Sequence, residues 1–439
     1  MKRRRVGGAA VLGAGMVAAL VAGPVQAAGG TVAWGTTASA PAGVLAQLFG
    51  VAAVPGQAWA VGGFNPGVAP TAVLTAPYAE RWNGTSWAAT PVPLQQVYPA
   101  GSQGAQLQGA AAVSGSDVWA VGWVEDRSSL SSTTLAYHWN GSTWTRATTP
   151  NPGGATLPNR LNAVVARSAG VVFAVGDRGF PSASMVQRYD GTSWSSLTVP
   201  NIGSLTSAAV DATNLWVASL SAVQQFDGTR WTRLPAPPAA SGYLQLHGLA
   251  KSSTGLWAVG TDLIPYFEGY LARPYAAFWN GANWTRATVG APTGFSAVTA
   301  SGSSVWATAG ATVTRLRVTG STQEVTPILP AGLLTAVTSD GAQHPWAVGW
   351  NSTAPAIINA PGINQGGISV TTGYSGATIT WIGPTTGSGS ADTSGDYAVG
   401  GLPSGTYTVI AAAGGCAPGV ATATIAAGAV TVVSAQVTC

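Results

Sequence analysis

Residues 107–150 read LQGAAAVSGSDVWAVGWVEDRSSLSSTTLAYHWNGSTWTRATTP, the fullest copy of a unit that the chain repeats. An apolar run opens it. A short turn follows, then Trp-Ala-Val-Gly, a variable stretch, Trp-Asn-Gly-x-x-Trp and a Pro. Seven copies can be anchored on their opening apolar residue: Leu48, Leu107, Leu161, Leu205, Leu246, Phe295 and Leu334, spaced 39 to 59 residues apart. Eleven or twelve residues after each anchor stands an aromatic: Trp59, Trp119, Phe173, Trp216, Trp257, Trp306 and Trp346. Five copies carry a second, paired aromatic signal: Trp82/Trp87, Trp139/Trp144, Tyr189/Trp194, Phe226/Trp231 and Trp279/Trp284. The sixth copy has decayed to Val318-Thr-Gly and lacks the Trp.

A unit of about 40–50 residues that reads as four short strands describes a blade of a β-propeller. The Ala-, Gly- and Val-rich opening run suits the innermost strand, where sheets converge and room is scarce. The Asn-Gly and Asp-Gly dipeptides between the paired aromatics predict type I′ hairpins joining the third strand to the fourth, with φ > 0 at both central residues. The Pro after the last Trp ends the outer strand, because it donates no ladder bond. The recurring Trp residues read as packing between blades. The seventh copy stops near Ile358 without a fourth strand. Residues 31–43, with Trp34 and Pro41, resemble the outer strand of another copy and are expected to supply it, which would remove an exposed edge. The fold class expected is therefore all-β: a seven-bladed propeller closed by the N-terminal strand, plus a small C-terminal sandwich.

Residues 1–27 have the form of a secretory signal peptide: a basic start through Arg5, an uncharged apolar stretch and the small-residue site Val25-Gln26-Ala27. No other segment reaches the ~20 apolar residues of a membrane span. The whole chain carries 18 basic and 14 acidic residues. Four of the basic ones lie in the leader, so the exported chain has 14 of each and no net charge. The basic character belongs to the leader, and nucleic acid is not an expected partner. Only 7% of residues are charged. Export predicts a secreted, extracellular protein, and no feature of the chain asks for more than a monomer.

Domain limits follow from the pattern: propeller over 28–360, a linker at 361–366, and a β-sandwich over 367–439, where the Trp repeat gives way to alternating Thr, Val, Gly and Ala. Cys416 and Cys439, both in the last segment, are expected to form a disulfide in an oxidising compartment.

The repeats resemble those of kelch-like and galactose-oxidase-type propellers of secreted bacterial proteins. The segment Asp392-x-x-Gly-x-Tyr397 followed by Gly401-Leu-Pro-x-Gly-x-Tyr407 resembles the carboxypeptidase regulatory-like, or transthyretin-like, sandwich. That second resemblance implies a non-catalytic spacer or adhesion module. Copper chemistry of the galactose oxidase kind is not expected. The propeller has no Cys, and His138, His247 and His344 fall in different copies. No metal site and no cofactor are expected.

In a propeller, second-to-third-strand connections and blade-to-blade connections share one face. Here the connections 64–78, 124–134 and 261–274 are long. They and the third copy carry the unpatterned polar and aromatic residues Tyr78, Glu125, Asp126, Arg127, Asp177, Arg178, Tyr266, Glu268, Tyr270 and Arg273. Binding residues concentrate on loops held by a rigid scaffold, so these form the candidate binding face. A second set follows the anchors directly: Gln108, Asn162, Thr206, His247, Ser296 and Thr335. From the second copy onward, this polar side chain at the mouth of the inner strand either rings the channel or satisfies backbone groups.

No nucleophile–base pairing, HExxH motif or phosphate loop is present. The function expected is a secreted, non-catalytic protein that binds a polysaccharide or a protein through its loop face. The alternative is a glycan hydrolase or lyase drawing carboxylates from Asp126, Asp177, Asp262 or Glu268. Such an enzyme needs two carboxyls about 5–10 Å apart.

Overall fold

The computed structural model describes residues 35–37, 45–65, 76–83, 86–94, 103–239, 243–267, 269–318, 332–340, 345–351, 355–359, 365–384, 386–403, 405–425 and 430–439. The proposed leader, Trp34, Glu268, His344 and most of the proposed linker lie outside them. All regular elements among the described residues are β-strands.

Between residues 35 and 359 the described strands form seven antiparallel sheets. The second is typical: Gln103–Ser114, Asp117–Asp126, Ser131–Trp139 and Trp144–Ala147 pair in sequence order. The sixth has three described strands, Ala297–Ser301, Ser304–Ala309 and Thr312–Arg315. In the seventh, Gly332–Ser339, Pro345–Asn351 and Pro355–Asn359 are joined by Gly35–Thr37. Thr36 stands opposite Ile358, more than 300 residues away in the chain.

Each repeat aromatic is buried against the sheet that follows its own. Trp119 lies 4.6 Å from the Tyr189 ring and 5.1 Å from that of Trp194. Trp346 of the seventh sheet lies 5.5 Å from both Trp82 and Trp87 of the first. Trp59, Trp139 and Trp144 share one core, as do Phe173 and Phe226, and Trp216 and Trp279. Such aromatic pairs contribute about 0.5–1.5 kcal/mol each beyond their buried area. The hydrophobic core is thus a series of seams between successive sheets, one of them joining the last sheet to the first.

The Gly of Trp-Ala-Val-Gly has a steric cause. Leu107 pairs with Gly122, and the inner strand then bulges, so the next pair is Gly109 with Val121. The bulge presses the inner strand's backbone against the glycine. A Cβ on Gly122 would overlap the Gln106 carbonyl oxygen and come 2.8 Å from Leu107 Cα. Gly62, Gly176, Gly260 and Gly349 meet the same obstruction. In the fourth and sixth sheets the inner strands begin after the anchor, at Ser207 and Ala297. There the corresponding residues are Ser219 and Ala309.

The turns between the paired aromatics differ from the type I′ expectation. Trp139 pairs with Trp144, leaving a four-residue connection. Gly141 has φ 101°, yet among the described residues Leu130 is the one non-glycine with positive φ. Asn140 instead accepts hydrogen bonds on its side-chain oxygen from the Ser142 and Thr143 amides, 3.0 Å each. Asp190, Asp227 and Asn280 repeat the arrangement. An Asx side chain replaces the backbone bond that a two-residue turn would supply. The Ser193 amide, then the Thr192 hydroxyl and amide, stabilise the ionised Asp190 carboxyl and hold its pKa down at about 2.

Beyond residue 364 two sheets share one core. One orders Asp396–Pro403, Gln365–Thr371 and Val430–Ser434; the other orders Thr386–Ser390, Thr378–Ile382, Gly405–Ala412 and Gly419–Ile425. Ile368, Ile379, Trp381, Tyr407 and Val409 are buried between them. The first strand already begins at Gln365, inside the stretch expected to be linker, because Gln365 and Gly366 pair with Pro403 and Leu402. Cys416 and Cys439 are joined by a disulfide, with Cα atoms 4.4 Å apart.

Candidate functional site

The residues that follow the anchors form a belt. Asn162 Nδ2 donates to the Leu205 carbonyl at 2.8 Å, and Thr206 Oγ1 to that of Leu246 at 3.0 Å. His247 Nδ1 donates to Phe295 O at 2.7 Å, and Ser296 Oγ to Leu334 O at 2.7 Å. Thr335 Oγ1 donates to Leu48 O at 2.7 Å. Each side chain therefore reaches the anchor carbonyl of the next sheet, and Thr335 of the seventh reaches the first. The bulge aims them: Asn162, His247 and Thr335 are the extra residues at their register shifts. Together with Gln108 these belt residues line one central cavity of about 410 Å³. The belt position of the first sheet is Phe49, which packs on Trp350 at 5.5 Å.

The long connections of the second and fifth sheets are not loops. Asp117–Asp126 and Ser131–Trp139 continue pairing to a tight turn, and so do Leu256–Tyr266 and Gly269–Trp279. The candidate face is thus carried on hairpins whose two strands stay in register up to the turn.

The structure separates the candidate residues into two kinds. The first kind is held by neighbours. Glu125 pairs with Arg160 at 3.5 Å and Arg127 at 3.8 Å, and Arg160 also lies over the Trp123 ring. Asp126 accepts from the Ser128 amide and from the hydroxyls of Ser128 and Ser129, closing its own turn. Asp177 is buried and accepts from Ser204 Oγ at 2.8 Å and Asn162 Nδ2 at 3.2 Å. Asp262 is fully buried, 2.9 Å from Arg286, whose guanidinium lies over Tyr275. Tyr78 sits within a strand, donates to Glu80 at 2.8 Å and packs edge-on against Phe64. Burial, then the Glu80 charge, pushes its phenol well above the ordinary range.

The second kind is exposed. Arg178 and Arg273 face solvent. Tyr266 and Tyr270 are more than half exposed at the end of the fifth hairpin, and Phe267 between them is fully exposed. Tyr243 stands edge-on to Tyr270 at 5.6 Å. Leu271, Phe180, Leu130 and Leu220 add exposed apolar side chains on second-to-third-strand connections. The sequence reading passed over Tyr243, Phe267, Leu271, Phe180 and Leu130. The available signal was large apolar residues in stretches that follow no strand pattern.

Solved structures with this arrangement of sheets exist. YCF48 bound to a D1 peptide matches at 13% identity, over 74% of this chain and 94% of that one, with a TM-score of 0.50. The fold is that of a β-propeller. The WD40 domain of Neurospora crassa Pan2 matches at 11% identity, over 75% of this chain and 96% of that one, with a TM-score of 0.47. No family model matches the propeller chain, and no curated protein does either. No helix among the described residues is long and apolar enough to cross a membrane. No cluster of three or more metal-ligating side chains occurs among them.

Proposed function

We propose that this chain is a secreted, non-catalytic binding protein: a seven-bladed, kelch-like propeller over 28–360, followed by a carboxypeptidase regulatory-like sandwich. The signal peptide, residues 1–27, directs export, and Gly35–Thr37 latches the last blade. The propeller captures a polysaccharide or protein partner on the face built by its hairpin ends. The observation that carries this reading is the exposure of Tyr266, Phe267 and Tyr270 at the end of a hairpin paired up to its turn, with Tyr243 edge-on to Tyr270. Rigid aromatic side chains lose little entropy on binding and offer large contact area to sugar rings or apolar side chains. The described loop carboxylates that an enzyme would need are each bound to a neighbour, which favours recognition over hydrolysis.

The test is a glycan array and a peptide array probed with the purified protein, beside a Tyr266→Ser/Phe267→Ser/Tyr270→Ser variant. Specific capture by the wild type and its loss in the variant, with an unchanged melting curve, is the expected result. Equal capture by both proteins refutes the assignment of this face. Turnover of a chromogenic glycoside would move the protein to the enzyme class.

A further inference from the structure

The central cavity, lined by the inner strands of all seven sheets, has a one-sided charge. Its volume of about 410 Å³ falls within the roughly 300–1,000 Å³ typical of small-ligand sites. Among the described residues that line it, none is Asp or Glu, and the titratable ones are Lys251 and His247. The His247 Nδ1 hydrogen is directed at the Phe295 carbonyl, an oxygen that only accepts. Lys251 is different. It is one of two lysines in the 439 residues, the other being Lys2. A surface this poor in lysine places its one ammonium beyond the leader half-buried on the cavity wall. That ammonium donates one hydrogen to Ser252 O at 2.6 Å and has two more to give.

Two threonines line the same cavity from the next two sheets. Thr299 and Thr338 each stand four residues after their anchors, the position held in the fifth sheet by Ala250, beside Lys251. A cation on a concave wall with no acid in its lining concentrates anions. We propose that the central cavity binds a small oxyanion on Lys251, with the Thr299 and Thr338 hydroxyls as further donors. Sulfate, phosphate and the carboxylate of an acidic sugar share the required chemistry. This site is independent of the aromatic hairpin and stands or falls apart from it.

The test uses the full chain carrying Lys2→Arg, so that Lys251 is the one lysine, and follows its side-chain 13C–1H signal by NMR. Sodium sulfate, phosphate and glucuronate are titrated against sodium chloride at matched ionic strength. A saturable shift with at least one oxyanion and none with chloride is expected. Sulfate or phosphate as the effective arm identifies a tetrahedral anion; glucuronate identifies a carboxylate. By calorimetry, Lys251→Met should weaken that binding about tenfold or more, the loss of one charge-assisted hydrogen bond. Thr299→Val/Thr338→Val should weaken it about fivefold or more. A linear response shared with chloride overturns the proposal, and so does unchanged affinity in Lys251→Met. The wild-type titration decides alone if that variant does not fold.

Discussion

Replacing Gly122 by Ala adds one methyl group at a place where the neighbouring strand's backbone already lies. The methyl would overlap the Gln106 carbonyl oxygen and stand 2.8 Å from Leu107 Cα. Neither obstacle is the end of a flexible side chain. Relief requires the inner strand to move away, and that strand's Leu107 is fully buried. Overpacking of this sort costs about 1–3 kcal/mol and sometimes more. With three backbone atoms in the way, the upper end, about 3 kcal/mol, is the expected loss. At about 2–4 °C per kcal/mol for a large domain, the melting temperature should fall by roughly 6–12 °C. Tryptophan fluorescence is the assay, because 17 of the 18 Trp residues precede residue 360. Ser219→Ala is the matched control, since Ser219 holds the same repeat position where the inner strand starts late. It should melt within about 2 °C of the wild type, because this buried position already accommodates a Cβ. A Gly122→Ala protein that melts like the control would refute the bulge as the reason for the conserved spacing of the motif within this chain.

Thr335→Val removes the donor to Leu48 O and should cost about 1–3 kcal/mol by leaving that carbonyl unsatisfied; a urea titration beside Thr335→Ser, which keeps the hydroxyl, measures it. Arg286→Met removes the ion-pair partner of the buried Asp262 carboxylate and should cost about 3–5 kcal/mol, whereas adding Asp262→Asn should recover much of the loss in the same melt. Asp190 has its pKa held at about 2, below the ordinary 3.8, so its contribution is present above pH 3.8 and is lost as pH falls towards 2. Acid unfolding followed in that window should be less steep in Asp190→Asn. Cys439→Ser opens a loop spanning 23 residues and should cost the C-terminal sheets about 3 kcal/mol on the chain-entropy model, read by hydrogen exchange at Ile379 and Val409.

Much of the architecture was legible because the repeat is short-range. The anchors, the aromatics eleven or twelve residues on, and the polar residue after every anchor from the second onward are all fixed by spacing along one unit. The β-propeller fold follows from them. The bulge was not legible, since it is a relation between two strands, and it is what makes Gly122 obligatory and points Asn162 sideways. The Asn-Gly turns misled for a related reason: the dipeptide is common to two turn types, and the length of the connection separates them. The candidate face was readable as a set of connections but not as hairpins. Pairing of residues 261–266 with 269–274 depends on cross-strand contacts such as Pro265 opposite Tyr270. Nor does sequence show that Asp177 and Asp262 are buried and engaged, because Ser204 and Arg286 reach them from 27 and 24 residues downstream.

The pairing of Gly35–Thr37 with Pro355–Asn359 imposes an order on biosynthesis. At about 5–20 residues per second, the partner emerges on the order of tens of seconds after the strand it must accept. Throughout that interval the early segment has nothing to zip onto, and afterwards Pro355–Asn359 offers unsatisfied amides to whichever strand arrives first. A neighbouring copy's early segment would serve as well as its own. Crowded expression therefore favours exchange of this segment between molecules, and a chain shortened past Thr37 should lose that exchange while still accepting a supplied peptide of the segment.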